Sequence, residues 1–92
     1  MTLRQGGSAY RLILKPLAEK QLEHLPVAMQ RRTAAKLAQI EANPRSPGAV
    51  KLADSKATYR VRVGDYRIVY EVDDARRIVF VTIIAHRREV YR

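Results

Sequence analysis

Arg60, Arg62 and Arg67 stand at alternate positions around Gly64-Asp65 in the stretch Tyr59-Arg60-Val61-Arg62-Val63-Gly64-Asp65-Tyr66-Arg67-Ile68-Val69-Tyr70. Strict alternation of apolar and polar residues predicts two β-strands, and a Gly-X pair between them suits a two-residue type II′ hairpin turn. With that loop, Val63 pairs with Tyr66, Arg62 with Arg67 and Val61 with Ile68. Side chains along a strand alternate faces, so the three guanidinium groups project from one side. Tyr59, Val61, Val63, Tyr66, Ile68, Tyr70 and Val72 line the other, the natural face for a core. Like charges directly opposite across a sheet are unfavourable by roughly 0.2–1 kcal/mol, so Arg62 facing Arg67 is not a stability device. Three planar forks around one point suit a phosphodiester instead. The competing explanations are a merely solvated face, or arginines neutralised by acids such as Glu71, which shares that face.

The tail His86-Arg87-Arg88-Glu89-Val90-Tyr91-Arg92 adds a histidine, further arginines and a tyrosine where the next strand runs out. An even-numbered loop after Asp73 would bring His86 onto the arginine face, and an odd-numbered one Arg87; spacing alone does not choose. Neither His86 nor His24 has metal-ligand spacing or an evident carboxylate partner, so no metal site is expected and His24 reads as ordinary surface.

The elements that must position these residues follow from periodicity. Residues 1–9, with Gly6, Gly7 and Ser8, read as a flexible lead-in; Tyr10, Leu12 and Leu14 alternate as a first strand. Pro16 suits a first helical turn, and Leu17, Ala18, Leu22 and Leu25 share a helical face over 16–25 before Pro26. From Val27, the positions Met29, Thr33, Leu37 and Ile40, with Ala34 and Ala38 beside them, predict a second helix ending at Asn43-Pro44. The polar faces of this helical hairpin carry Lys20, Arg31, Arg32 and Lys36, read as a solvated surface. The stretch 44–57 has no period and reads as a loop that still has room for function. After the hairpin and a turn over 73–77, Ile78 to Ala85 is a β-branched run suited to a central strand. The expected fold is a single α+β domain over 1–92 in the order β-α-α-β-β-β, a helical hairpin packed on a small, mainly antiparallel, four-stranded sheet.

Bulk composition narrows the partners. Lysine plus arginine number 18 against 9 acidic residues, a formal charge of +9, which favours a polyanionic partner. All five lysines precede residue 57, and the last third carries arginine alone, the side chain that grips phosphate through a planar fork. No cysteine is present, which excludes disulfides, thiolate zinc sites and cysteine nucleophiles. No segment approaches a membrane span and the N-terminus lacks the apolar core of a secretory signal, so the expectation is a cytoplasmic protein with no membrane partner.

At Tyr59–Tyr70, Asp73-Asp74 and His86–Tyr91 the chain resembles the RelE/ParE superfamily of bacterial toxins, and within it is most similar to RelE. The resemblance extends in element order over nearly the whole chain from Tyr10. It implies the toxin of a type II toxin-antitoxin system: a metal-independent endoribonuclease, without cofactor, that cuts messenger RNA in the ribosomal A site by 2′-oxygen attack. It also implies a co-expressed antitoxin. Carried over, the two basic first-strand positions fall on Arg60 and Arg62, the hairpin arginine on Arg67, the post-strand arginine on Arg87 and the terminal tyrosine on Tyr91. Arg67 and Arg87 are then phosphate clamps, Arg88 a further RNA contact, and Tyr91 a stacking or proton-transfer group.

One departure bears on mechanism. In the best-known members the first-strand pair is lysine, whereas an arginine pKa above about 12 rules out easy proton abstraction. Arg60 and Arg62 are therefore expected to be electrostatic, with Tyr91, supported by His86, or ribosomal RNA groups moving protons. The sequence stops one residue after Tyr91, so the mobile C-terminal helix of some relatives is expected to be missing. The antitoxin is then expected to bind a groove between helices and sheet, or the basic face itself, through an acidic or amphipathic wrapping segment, and to contribute any contact with operator DNA. Two other functions compete: a ParE-like inhibitor of DNA gyrase, and a catalytically weak nucleic-acid or antitoxin-binding module.

Overall fold

A computed structural model describes residues 10–52, 57–86 and 88. The expected lead-in over 1–9, and Arg87 and Tyr91 among the candidate site residues, lie outside the described residues. The element order is β1 (Arg11–Leu14), α1 (Pro16–Glu23), α2 (Val27–Ala42), β2 (Val50–Lys51), β3 (Thr58–Val63), β4 (Tyr66–Asp73) and β5 (Ile78–His86).

The strands form one five-stranded sheet in the order β1-β5-β4-β3-β2, antiparallel except where β1 runs parallel to β5. The count exceeds the expected four because β2 lies inside the stretch read as loop. A two-residue strand is too short to show a period of two, so only its pairing with Arg60 and Tyr59 reveals it. Pro16 begins α1, where its missing N–H costs nothing, and Pro26 separates the helices.

The helices cover one face of the sheet. Val61, Val63, Ile68, Tyr70, Val72, Val79, Val81 and Ile84 from that face pack with Ala18, Leu25, Leu37 and Ile40 into one buried cluster. Tyr10, Leu12 and Leu14 pack against it, as their alternation requires. Of the expected helical stripe, Leu17 departs: it is 55% exposed at the start of α1, leaving Ala18, Leu22 and Leu25 to face the sheet. Thr33 is fully buried among the α2 residues, with its hydroxyl unpaired.

The β3–β4 register is the one the alternation predicts: Val63↔Tyr66, Arg62↔Arg67 and Val61↔Ile68. Gly64 has φ +60° and Asp65 does not share the positive-φ region, consistent with type II′ geometry. The turn between β4 and β5 spans four residues, 74–77, closed by Arg76 N–H donating to Asp73 Oδ1 at 3.1 Å and by Arg77 at φ 58°.

An even loop was expected to put His86 beside the arginines, and it would have done so had the ladder stayed regular. A β-bulge breaks it: Val69 pairs with Ile83 but Tyr70 with Val81, so Thr82 is an extra residue in β5. The Thr82 hydroxyl donates to Val69 O at 3.1 Å within this irregularity. Beyond the bulge every β5 side chain changes face, so Ala85 lies opposite Arg67 while His86 lies opposite Tyr66 on the helix side.

Candidate nucleic-acid interface

The sheet face away from the helices carries Arg60, Arg62 and Arg67 together, as their register demands. In a two-residue hairpin the pair next to the turn is hydrogen-bonded, and the following pair, here Arg62↔Arg67, is the close kind with Cα atoms about 4.5 Å apart. Two cations are thus held side by side by backbone geometry. Arg62 is exposed, whereas Arg67, between β3 and β5, is only 7% exposed. The three arginines line an open cleft of about 430 Å³ with Gly48 and Val50. The segment leading into β2 therefore supplies one wall, a contribution the sequence showed only as room for function in an aperiodic loop.

A second open cleft, of about 510 Å³, lies on the same sheet face toward the β4–β5 turn, lined by Ala57, Thr58, Glu71, Val72, Asp73, Asp74 and Phe80. The face carries Arg60, Arg62 and Arg67 toward the hairpin and Glu71, Asp73 and Asp74 toward the other end, with Val69 and Phe80 also on it; Asp73 pairs with Arg76 and Asp74 with Arg45. Glu71 forms no ion pair among the described residues, so it does not neutralise the arginines.

His86 stands apart from that cleft. Its ring meets Tyr66 edge-on, with centroids 5.4 Å apart, and it borders a smaller pocket on the helix side with Gln21, His24, Leu25 and Ile84. The backbone N–H of Arg88 donates to His86 Nδ1 at 3.3 Å, so the histidine anchors the first part of the tail. Arg88 is exposed just past the strand. His24 is exposed, its Nδ1–H donating to Lys20 O at 2.7 Å, an ordinary helix-end contact. Among the described residues no group of three potential metal ligands comes together.

At the end of the molecule away from the hairpin, a network missed by sequence reading ties the loop after α2 to the sheet. Arg45 grips Asp74 through both carboxylate oxygens, at 3.1 and 2.8 Å, and donates from Nε to the Tyr59 hydroxyl at 2.9 Å. Tyr10 also donates to Asp74. Arg45 and then Tyr10 hold the Asp74 carboxyl below its usual range, and the same Asp74 contact, with Tyr59, raises the Arg45 guanidinium. Tyr70 stacks on Tyr59 with centroids 5.8 Å apart and donates to Pro44 O. Burial, followed by the nearby Tyr59, pushes the Tyr70 hydroxyl up to about 12. No sequence signal links these residues, because Arg45 and Asp74 lie 29 positions apart.

The cationic end can hold a phosphate in several forks and stabilise charge that builds on it. Its three arginines cannot readily exchange protons. A small sheet backed by two helices presents this cationic cleft, and comparison with known proteins identifies the frame. The family model described as the ParE toxin of the type II toxin-antitoxin system parDE matches residues 12–91. No curated protein matches. Among solved structures, the isolated E. coli RelE toxin is similar with a TM-score of 0.78 and 30% identity, covering 90% of this chain and 92% of that one. The archaeal RelE–RelB complex from Pyrococcus horikoshii OT3 gives 0.77 and 27%, covering 86% and 96%. The intact E. coli RelBE complex gives 0.76 and 28%, covering 85% and 96%. The chain belongs to the ParE toxin family of the RelE/ParE superfamily, and it is RelE-like in fold: the toxin component of a type II toxin-antitoxin system.

Proposed function

We propose that this toxin is a ribosome-dependent endoribonuclease that cuts messenger RNA in the A site by metal-independent attack of a ribose 2′-oxygen. The observation that carries the reading is the Arg62↔Arg67 pair, two cations opposed across the hairpin with Arg67 buried and Arg60 beside them in one cleft. Like charges opposed across a sheet disfavour each other, and a bound anion offsets that repulsion. The scissile phosphate sits over Arg67, with Arg60 and Arg62 on the strand beside it. As the 2′-oxygen attacks, negative charge grows on the non-bridging oxygens, and cations already fixed by the sheet stabilise it without reorganising.

Proton transfer falls to the tail and the ribosome. Arg87 and Tyr91 follow β5 directly, Arg87 as a second clamp and Tyr91 as the stacking or proton-transfer group. His86 acts from the opposite sheet face by holding the Arg88 backbone, a positioning role in place of the expected proton carrier. Cognate antitoxin, of the kind seen with the RelE chains in the neighbouring complexes, would cover the cationic cleft with an acidic or amphipathic segment, and any operator DNA contact would come through it.

The family model's ParE description favours a second reading, inhibition of DNA gyrase without RNA cleavage. Primer extension on a translated message, after induction without antitoxin, separates the two. Codon-phased cuts that disappear in Arg67→Ala and Tyr91→Ala support the nuclease. Intact messages accompanied by gyrase-dependent DNA breaks refute it. Ribosome binding with neither effect leaves a silent binding module.

A further inference from the structure

Gly64 is surrounded more closely than a surface turn requires. A Cβ built on it would stand 3.2 Å from Arg32 Nη1 and 3.6 Å from Arg32 Cζ and Nη2, so the guanidinium of this α2 residue lies against the hairpin turn. Two conditions therefore meet at Gly64: φ +60°, which L side chains rarely adopt, and the presence of a cation where a side chain would go. Arg32 also has Nη1 3.8 Å from Met29 Sδ, a weak acceptor that leaves most of its donors unengaged. Among the described residues it forms no ion pair, although Asp65 is the next residue of the turn.

Two further arginines at the hairpin end are exposed, one of them, Arg62, on the sheet face away from α2, and Asp65 is the acid of the turn itself. Arg62 is exposed two residues before Gly64, and Arg88 is exposed beyond His86, which pairs with Tyr66 on the other side of the turn. Arg32 adds a charge from the helix layer, outside the cleft of Arg60, Arg62 and Arg67. Arg32 is exposed, and its guanidinium rests on a turn that has no side chain to exclude it. Less freedom is lost when a fork held in this way closes on an oxyanion.

We propose that Arg32 is a phosphate-binding residue, gripping an RNA backbone that passes over the tip of the hairpin. The inference rests on the RNA-directed reading above and extends it from the cleft to the helix layer. The phosphate belongs either to the message flanking the cleaved bond or to ribosomal RNA; the chemistry is common to both.

The test uses the full chain, unmodified and as Arg32→Gln and Arg32→Lys, titrated against vacant ribosomes and against a short single-stranded RNA whose 2′-hydroxyls are replaced by hydrogen. Each titration is repeated over a salt series. Losing one phosphate contact reduces the slope of log K against log salt by about 0.7–0.9 and weakens binding several-fold at low salt. Arg32→Gln is expected to show that loss, Arg32→Lys to keep the slope, and both to melt with the parent. A loss on vacant ribosomes alone assigns the phosphate to ribosomal RNA, and a loss on the oligonucleotide assigns it to the message. Unchanged slopes on both probes overturn the proposal, as does an equal loss in Arg32→Lys, which would make Arg32 a packing residue of the turn. Codon-phased cleavage by the unmodified chain is read in parallel. Its absence, with the slope still reduced in Arg32→Gln, would sink the nuclease reading and leave this contact standing.

Discussion

Replacing Arg62 with valine should make the isolated toxin more stable and less active at once. Arg62 is exposed and sits directly opposite the buried Arg67 in the close type of cross-strand pair. Removing the like charge returns roughly 0.2–1 kcal/mol, and exchanging arginine for a β-branched residue on a strand adds something within the ~1 kcal/mol span of strand preferences. A net gain of about 1 kcal/mol corresponds to a rise of roughly 4–8 °C in Tm for a domain of this size. Urea unfolding of the antitoxin-free chain measures the gain directly. It should shrink as salt is raised from about 0.01 to 1 M, where the Debye length falls from about 30 to 3 Å. Cleavage of a translated message should fall by roughly tenfold or more, since one of the cations around the phosphate is gone. Arg62→Glu should stabilise at least as much, by pairing with Arg67, and cleave less still. If Arg62→Val is no more stable than the parent at low salt, the two arginines do not repel in the free protein, and the inference from charge opposition to an anion site collapses.

Four further outcomes are expected. Arg67→Ala should reduce cleavage of a translated message by about 10²–10³-fold while the antitoxin-free chain stays folded by circular dichroism; retained activity would remove Arg67 from the site. Tyr70, whose hydroxyl is raised from 10.0 to about 12, contributes stability that is complete below pH 10 and lost as pH rises through about 12. The loss approaches ~3 kcal/mol, and Tyr70→Phe, which leaves Pro44 O without its donor, should abolish this alkaline step in a pH series of urea midpoints. Asp74 has its carboxyl depressed below 3.8, so its contribution is complete above that pH and disappears as pH falls through the lower folded value. The acid limb of the same series should be flatter in Asp74→Asn. Gly64→Ala should destabilise by about 1 kcal/mol or more, because φ +60° strains an L residue and the methyl would press on Arg32, a loss that differential scanning calorimetry would register.

Much of this architecture was legible because each strand of the main hairpin declares its own two faces. Tyr59, Val61 and Val63 alternate with Arg60 and Arg62, and Gly64-Asp65 sets the loop length, so the Arg62↔Arg67 pairing was determined before any fold was known. The helices were legible for a similar reason: Pro16, Pro26 and Asn43-Pro44 bracket periodic stretches, and α2 ends at Ala42 beside the last of them. Three features were not. Strand β2 is shorter than one period of alternation, so Val50 could not announce itself as a wall of the cleft. The Arg45–Asp74–Tyr59–Tyr10 network joins residues through space across four segments, and nothing in the spacing of one reports on another. The bulge at Thr82 lies within the β-branched run Val79-Phe80-Val81-Thr82-Ile83-Ile84. There almost any register keeps apolar residues on both faces, so the face of His86 was undetermined.

The extra residue at Thr82 also governs what changes of chain length the toxin can absorb. Val81 pairs with Tyr70 and Ile83 with Val69, so removing Thr82 would leave a regular ladder in which Ile83, Ile84, Ala85 and His86 keep their partners and their faces. A single-residue insertion there, by contrast, needs a second irregularity or turns Ile83 to His86 onto the opposite faces. The bulge is thus a reserve of one residue: β5 can shorten at Thr82 without changing which side chains meet the arginine face, losing only the hydroxyl contact to Val69 O.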